Sequence, residues 1–209
     1  MIKAIIFDMD GVIFDTIPFA REHFLKSHIG VTEEMYNEIH SGNFHIESAK
    51  YHHLKKPRTE EERIEQQNAY SEAKSKSRLF DGIEDLLKKL HKSGVTLILN
   101  TNAYSRNLMP LLENSKIKHL FNFIADAELS KSKTEKFGLI EKKFNLKKKD
   151  VLFVTDSLGD VREANIAEVP TVAVTWGVHN ETYFNREPYN CLKGIVNSPE
   201  ELRVFISNF

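Results

Sequence analysis

The chain has 209 residues, 41% of them hydrophobic and 14 of them phenylalanine, enough for one globular domain with an insertion or for two small ones. Its 29 basic and 30 acidic residues leave a formal net charge of -1, so no global attraction to nucleic acid or to an anionic membrane follows. The lone Cys191 excludes an internal disulfide framework and suits a reducing compartment, and no stretch approaches the ~20 apolar residues that cross a bilayer.

The first element is the apolar run Ile2 to Phe7, read as a buried strand, and Asp8-Met9-Asp10-Gly11-Val12 follows it directly. Gly11 permits a sharp turn there. Two carboxylates so close repel each other unless a metal ion, a lysine or a proton relieves them. The run ends on an acidic residue and lacks a basic region or cleavage pattern, so it is not read as a signal peptide, and a soluble, cytoplasmic protein is expected.

Residues 17–78 are helical in tendency, highly charged and without a convincing strand, and they are expected to form a small helical insertion after the first strand. Pro57 and Thr59 followed by Glu60, Glu61 and Glu62 mark a helix start inside it, and "EAKSKSRLFDG" is its expected return hinge. Residues 1–16 and 79–209 are then the core. Within the insertion, His45, His52, His53, Lys55, Lys56 and Arg58 form a candidate positive patch for substrate contact, without the cysteine or acidic partners a zinc site needs. Phe14, Phe19, Phe24 and Phe44 are assigned to packing, with the lining of the cap's inner face as the alternative.

Beyond the insertion, the chain reads as helix 82–92, strand 95–103, helix 105–113, a weaker strand 121–128, helix 134–144, strand 151–160, helix 160–168, strand 171–177 and a short edge strand 194–196. Ser198, Pro199 and Glu201 open a closing helix. Strands alternating with helices predict an α/β fold with a mainly parallel, Rossmann-like sheet. In such sheets ligands bind beyond the carboxyl ends of the strands, where Asp8, Asp10, Thr101, Asn102, Asp156 and Asp160 all fall.

Four ordered motifs carry a resemblance to a known family. Asp8-Met9-Asp10-Gly11-Val12, Thr101 in "LILNTNA", a lysine in "SKSKTEKF" and "TDSLGD" with Asp156 and Asp160 together resemble the haloacid dehalogenase-like hydrolase superfamily. The likeness is to its capped phosphatase branch, similar to phosphoglycolate phosphatase and beta-phosphoglucomutase-like proteins. It implies a nucleophile at Asp8, a general acid and base at Asp10, and phosphate binding by Thr101 and Asn102. It also implies Mg2+ held by Asp8, the main-chain carbonyl of Asp10, and Asp156, with Asp160 in an auxiliary role. Counted in register, Lys131 takes the place of the family lysine, with Lys133 as the alternative. Asp10 argues against dehalogenation, because a departing halide needs no proton. Ala20 stands where the related mutases usually carry a histidine, which weakens the mutase reading.

The resulting expectation is a magnesium-dependent phosphatase for a small phosphorylated metabolite, with a sugar phosphomutase or a non-catalytic phosphometabolite-binding protein as alternatives. No nucleic-acid or membrane partner is expected. The oligomeric state is open, a monomer being the simplest case. Glu168 departs from the relatives' pattern, since many have glycine there.

Overall fold

The computed structural model describes residues 2–209. Six strands form a single sheet in the order β3-β2-β1-β4-β5-β6, with every neighbouring pair parallel. They are β1 (Ala4–Phe7), β2 (Thr96–Asn100), β3 (Phe123–Ala125), β4 (Val151–Thr155), β5 (Thr171–Val174) and β6 (Leu192–Val196). The α/β expectation is met, and each expected strand is present, the first five with trimmed ends and the edge strand two residues longer than expected.

The centre of the sheet explains why these runs are almost wholly apolar. Strand β1 is flanked on both sides, pairing Phe7 with Leu99 of β2 and with Val154 of β4. Successive side chains point to opposite faces, and both faces are covered. Ile5 and Phe7 pack with Leu86 and Leu87 of α5 (Ile83–Lys92), Leu108 and Leu111 of α6 (Ser105–Asn114), and Leu202 of the closing helix (Pro199–Asn208). Ala4 and Ile6 face the other way, onto Phe137 and Ile140 of α7 (Lys133–Phe144) and Val161 and Ala164 of α8 (Leu158–Ala167). Cys191 is buried in this second layer, as a packing residue.

Between β1 and β2 the chain runs through α1 (Ile17–Ser27), α2 (Glu33–Ile39), α3 (Phe44–Ala49) and α4 (Glu60–Ser75) with no strand among them. These form the helical cap. Ile17, Phe24, Tyr36 and Ile39 give it a core of its own, and Val178 of the main body packs into that core. Helix α4 starts where the acidic triplet suggests. The Thr59 side chain accepts from Glu62 N–H, and Glu62 reaches back to the Thr59 N–H at 2.8 Å. The chain leaves and returns side by side: Asp15 N–H donates to Arg78 O at 2.9 Å and Phe80 N–H to Ile13 O at 3.1 Å. Of the four phenylalanines assigned to packing, Phe14 and Phe24 are buried, Phe44 packs at the edge of the cap core, and Phe19 is exposed.

Candidate active site

The carboxyl ends of β1, β2 and β4 place the polar residues together, and the cap covers them to enclose a cavity of about 310 Å³. Asp8 follows β1 immediately and is buried; its Oδ1 accepts from Met9 N–H at 2.8 Å. The same oxygen lies 3.0 Å from Lys133 Nζ. Asp156 follows β4, and its Oδ2 accepts from Val178 N–H at 2.7 Å. Its setting tolerates no side chain on two neighbours: a Cβ on Gly11 would come within 1.9 Å of Asp156 Oδ2, and one on Gly177 within 2.1 Å. Gly11 also has φ +73°, which favours glycine.

Of the two lysines expected for the site, it is the alternative, Lys133, that lies beside Asp8. Lys131 is exposed and lies outside the helix, and its main-chain carbonyl accepts from Asn43 Nδ2 at 2.9 Å. Ser132 caps α7 by accepting from Glu135 N–H, so Lys133 is the first helical residue. Its side chain runs back toward the strand ends, is 1% exposed, and pairs with both Asp8 and Asp160. One turn on, Lys136 is also buried and donates to Thr101 O at 2.7 Å and to Asn102 Oδ1 at 3.2 Å, holding the loop after β2 in shape.

That loop joins β2 to α6. Thr101 Oγ1 accepts from Ala103 N–H at 3.1 Å, so the hydroxyl proton remains free to donate. Tyr104, at the N-cap of α6, supplies no side-chain cap, leaving first-turn N–H groups for an anion. Asp160 lies in the first turn of α8, capped by Ser157, and accepts from Thr155 Oγ1 at 2.7 Å and from Lys133. Its contacts orient the lysine.

Sequence reading missed Lys74. This lysine of the last turn of α4 is 4% exposed, and its Nζ lies 2.8 Å from the Asp10 carboxylate, which also accepts from Thr16 Oγ1 at 2.6 Å. A lysine near a helix C-terminus is ordinary, so nothing in its sequence context marks it. Trp176 is a packing residue: its indole N–H donates to Val12 O at 3.2 Å and its ring meets Phe80 edge-on.

The electrostatics are unbalanced. Burial pushes Asp8 up to about 7, with Lys133 opposing and Asp160 and Asp10 adding to the rise. Asp156 is raised well above the carboxylate range by burial and by the charge of Asp8. For Asp160 burial acts upward too, but Lys133 and its hydrogen bond outweigh it and hold this carboxyl low. Lys133 is raised against the effect of burial by Asp160 and Asp8. Lys136 is brought down to about 8 by burial and by the charge of Lys133. Asp8 and Asp160 thus share the ammonium of Lys133 while Asp156 forms no ion pair among the described residues, and a divalent cation beside Asp8 and Asp156 fits the missing charge. Among the described residues no three His, Cys, Asp or Glu side chains are grouped to hold a metal, so a cation here takes further oxygen donors from main chain, water or ligand.

The haloacid dehalogenase-like hydrolase family profile matches residues 5–174, a span that includes the cap and all four motifs. The chain belongs to the haloacid dehalogenase-like hydrolase family. It is 29% identical over 205 residues to phosphoglycolate phosphatase of Aliivibrio fischeri, covering 90% of each chain. It is 32% identical over 115 residues to phosphoglycolate phosphatase 1 of Pseudomonas aeruginosa, a match over 54% of this chain and only 42% of that relative's length. Among solved structures, CbbY from Rhodobacter sphaeroides in complex with phosphate superposes with a TM-score of 0.74 at 21% identity, over 97% of this chain and 96% of that one. A family hydrolase from Streptococcus pneumoniae gives a TM-score of 0.75 at 20% identity, over 98% of both chains. These likenesses confirm the expected fold and its helical cap. No helix among the described residues is long and apolar enough to cross a membrane.

Proposed function

We propose that this hydrolase is a magnesium-dependent phosphatase that cleaves a small organic phosphomonoester through an aspartyl-phosphate on Asp8. The observation that carries this reading is the pairing of Asp8 with Lys133 at 3.0 Å inside a capped cavity that Asp10, Thr101 and Asp156 also line. The phosphatases among the relatives support it.

Asp8 Oδ1 is engaged by Met9 N–H and Lys133, which leaves Oδ2 for attack on phosphorus. The Oδ2–phosphorus bond forms as the bond to the leaving oxygen breaks. Asp10, aimed by Thr16 and Lys74, delivers a proton to that oxygen and then takes one from the water that cleaves the acyl phosphate. The Thr101 hydroxyl and the first N–H groups of α6 bind the phosphoryl oxygens, and Lys133 offsets their charge. Asp8, the carbonyl of Asp10, and Asp156 are the residues to hold Mg2+, which when bound neutralises phosphate charge and lets an anionic nucleophile approach. The helical cap, taken as residues 17–78, excludes water and contacts the leaving group.

The test is phosphate release from a panel of metabolite phosphates, with Mg2+ or with chelator, by the wild-type protein and by Asp8→Asn. Release that needs the metal and vanishes in the variant is the expected result. Conversion of a sugar phosphate into its isomer without free phosphate would replace this reading with a mutase.

A further inference from the structure

Lys133 is held at both ends by one helix. Its ammonium pairs with Asp160 in the first turn of α8, and its main-chain N–H donates to Glu163 Oε1, one turn further on, at 2.8 Å. Glu163 is 8% exposed and has no part in the proposed reaction. The same oxygen accepts from Ser132 Oγ at 3.2 Å and from Thr134 N–H at 3.4 Å, and the Thr134 hydroxyl donates to Glu163 O at 3.1 Å. A helix begins with N–H groups that lack partners, and a carboxylate there satisfies them and suits the helix dipole. Glu163 thereby fixes where α7 begins, and with it the place where Lys133 is rooted.

The other carboxylate oxygen faces the cap. Asn43, the residue before α3, donates from Nδ2 to Glu163 Oε2 at 3.2 Å and to Lys131 O at 2.9 Å. Its Oδ1 accepts from His45 N–H at 3.1 Å and from Ile46 N–H at 3.3 Å, which caps α3. One side-chain amide therefore spans two helix starts, one in the cap and one in the main body. It grips both the carboxylate that roots Lys133 and the chain just ahead of that lysine.

We propose that Glu163 is a positioning residue for Lys133, and that Asn43 makes this positioning depend on a seated cap. With the cap loop lifted, Glu163 Oε2 loses its amide donor and the carboxylate can turn away from the α7 N–H groups. Lys133 Nζ then leaves its place beside Asp8, and a misplacement of about 1 Å costs on the order of a hundredfold in rate. The lysine is thus set for reaction only once the cap encloses a substrate. The effect on catalysis rests on the phosphatase reading; the coupling between cap loop and α7 does not.

Reversing the hydrogen bond tests this. Asn43→Asp keeps the oxygen that caps α3 but sets a carboxylate against Glu163 Oε2 and Lys131 O. Glu163→Gln keeps an acceptor for Lys133 N–H but turns an amide nitrogen toward the Asn43 amide. Each single variant is expected to lose roughly tenfold or more in kcat. Because the Gly159 and Arg162 bonds to the cap loop remain, KM is expected to stay within about twofold of wild type. The double variant again faces a donor with an acceptor, and its kcat is expected to return to within about threefold of wild type. Hydrogen exchange of the Lys133 and Thr134 amides should quicken in each single variant and slow again in the double one. Losses that simply multiply in the double variant, or single variants whose kcat stays within about twofold of wild type, overturn the proposal. Were no phosphate ester hydrolysed by the wild type, the phosphatase reading would fall and the exchange pattern alone would decide the coupling. Reversal in the double variant keeps it, and indifference to Asn43→Asp removes it.

Discussion

Lys133 is held between Asp8 and Asp160 with almost no exposure to water, whereas Lys131, two residues earlier, is solvated. Removing one member of a buried charge cluster leaves its partners desolvated and unpaired, at a cost of about 3–5 kcal/mol. Lys133→Ala is therefore expected to lower the melting temperature sharply and to abolish phosphate release. Lys131→Ala is expected to stay within about 0.5 kcal/mol of wild type and to retain activity. Chemical denaturation of both variants beside the phosphate assay checks this. Counting in register put Lys131 ahead of Lys133, whereas the Ser132 cap makes Lys133 the first helical residue and turns its side chain toward Asp8. A serine with a glutamate three residues on is a cap pattern, so Ser132 and Glu135 were a usable signal. Lys74 offered none, since only the fold of the cap brings α4 over Asp10.

At the scale of elements, the last turn of α2 and the segment that follows it are sewn to the main body by their backbone. Gly159 N–H donates to His40 O at 2.8 Å, Arg162 Nη1 to Ser41 O at 2.6 Å, and His179 Nε2 lies 2.9 Å from Asn37 O. Gly159 is the tight point, because a Cβ there would come within 2.1 Å of Gly42 O. Gly159→Ala is expected to lift the cap from the body, raising KM and the rate of protease cleavage in residues 37–43 while leaving the sheet intact by circular dichroism. Glu168 has the opposite problem. It closes α8 at φ 55°, its side chain meeting only the exposed Lys148. Glu168→Gly is expected to add up to about 1 kcal/mol, read as a rise of roughly 2–4 °C in melting temperature. The strands were legible because central parallel strands are continuous apolar runs ending in polar residues, as "VLFVTD" is. Helices α2 and α3 were not resolved, because at 7 and 6 residues they are too short for periodicity to mark.

For the whole molecule, the carboxylate cluster sets stability against use. Asp8 and Asp156 are raised by burial, with mutual repulsion adding to the rise in Asp156, so the metal-free protein carries an uncompensated electrostatic penalty at neutral pH. Mg2+ binding the folded chain alone should raise the melting temperature, by about 2.7 kcal/mol of added stability at a hundred times its dissociation constant. Asp156→Asn is expected to melt higher than wild type without metal and to lose the Mg2+ response. Thermal scans across a magnesium series check both, and an unchanged response in the variant would remove Asp156 from the metal site.

The contact between Lys74 and Asp10 has a bearing on how such enzymes can be rebuilt. A cap is easily pictured as an exchangeable accessory, swapped to change what the enzyme accepts while the chemistry stays below. In this chain the ammonium that grips Asp10, the carboxylate proposed to transfer the proton, belongs to the accessory. A chimaera that kept the sheet and all four motifs but borrowed a lid without such a lysine would leave Asp10 held by Thr16 alone. Grafts between relatives must therefore carry a lysine at the end of the last lid helix, or evolve another hold on that carboxylate.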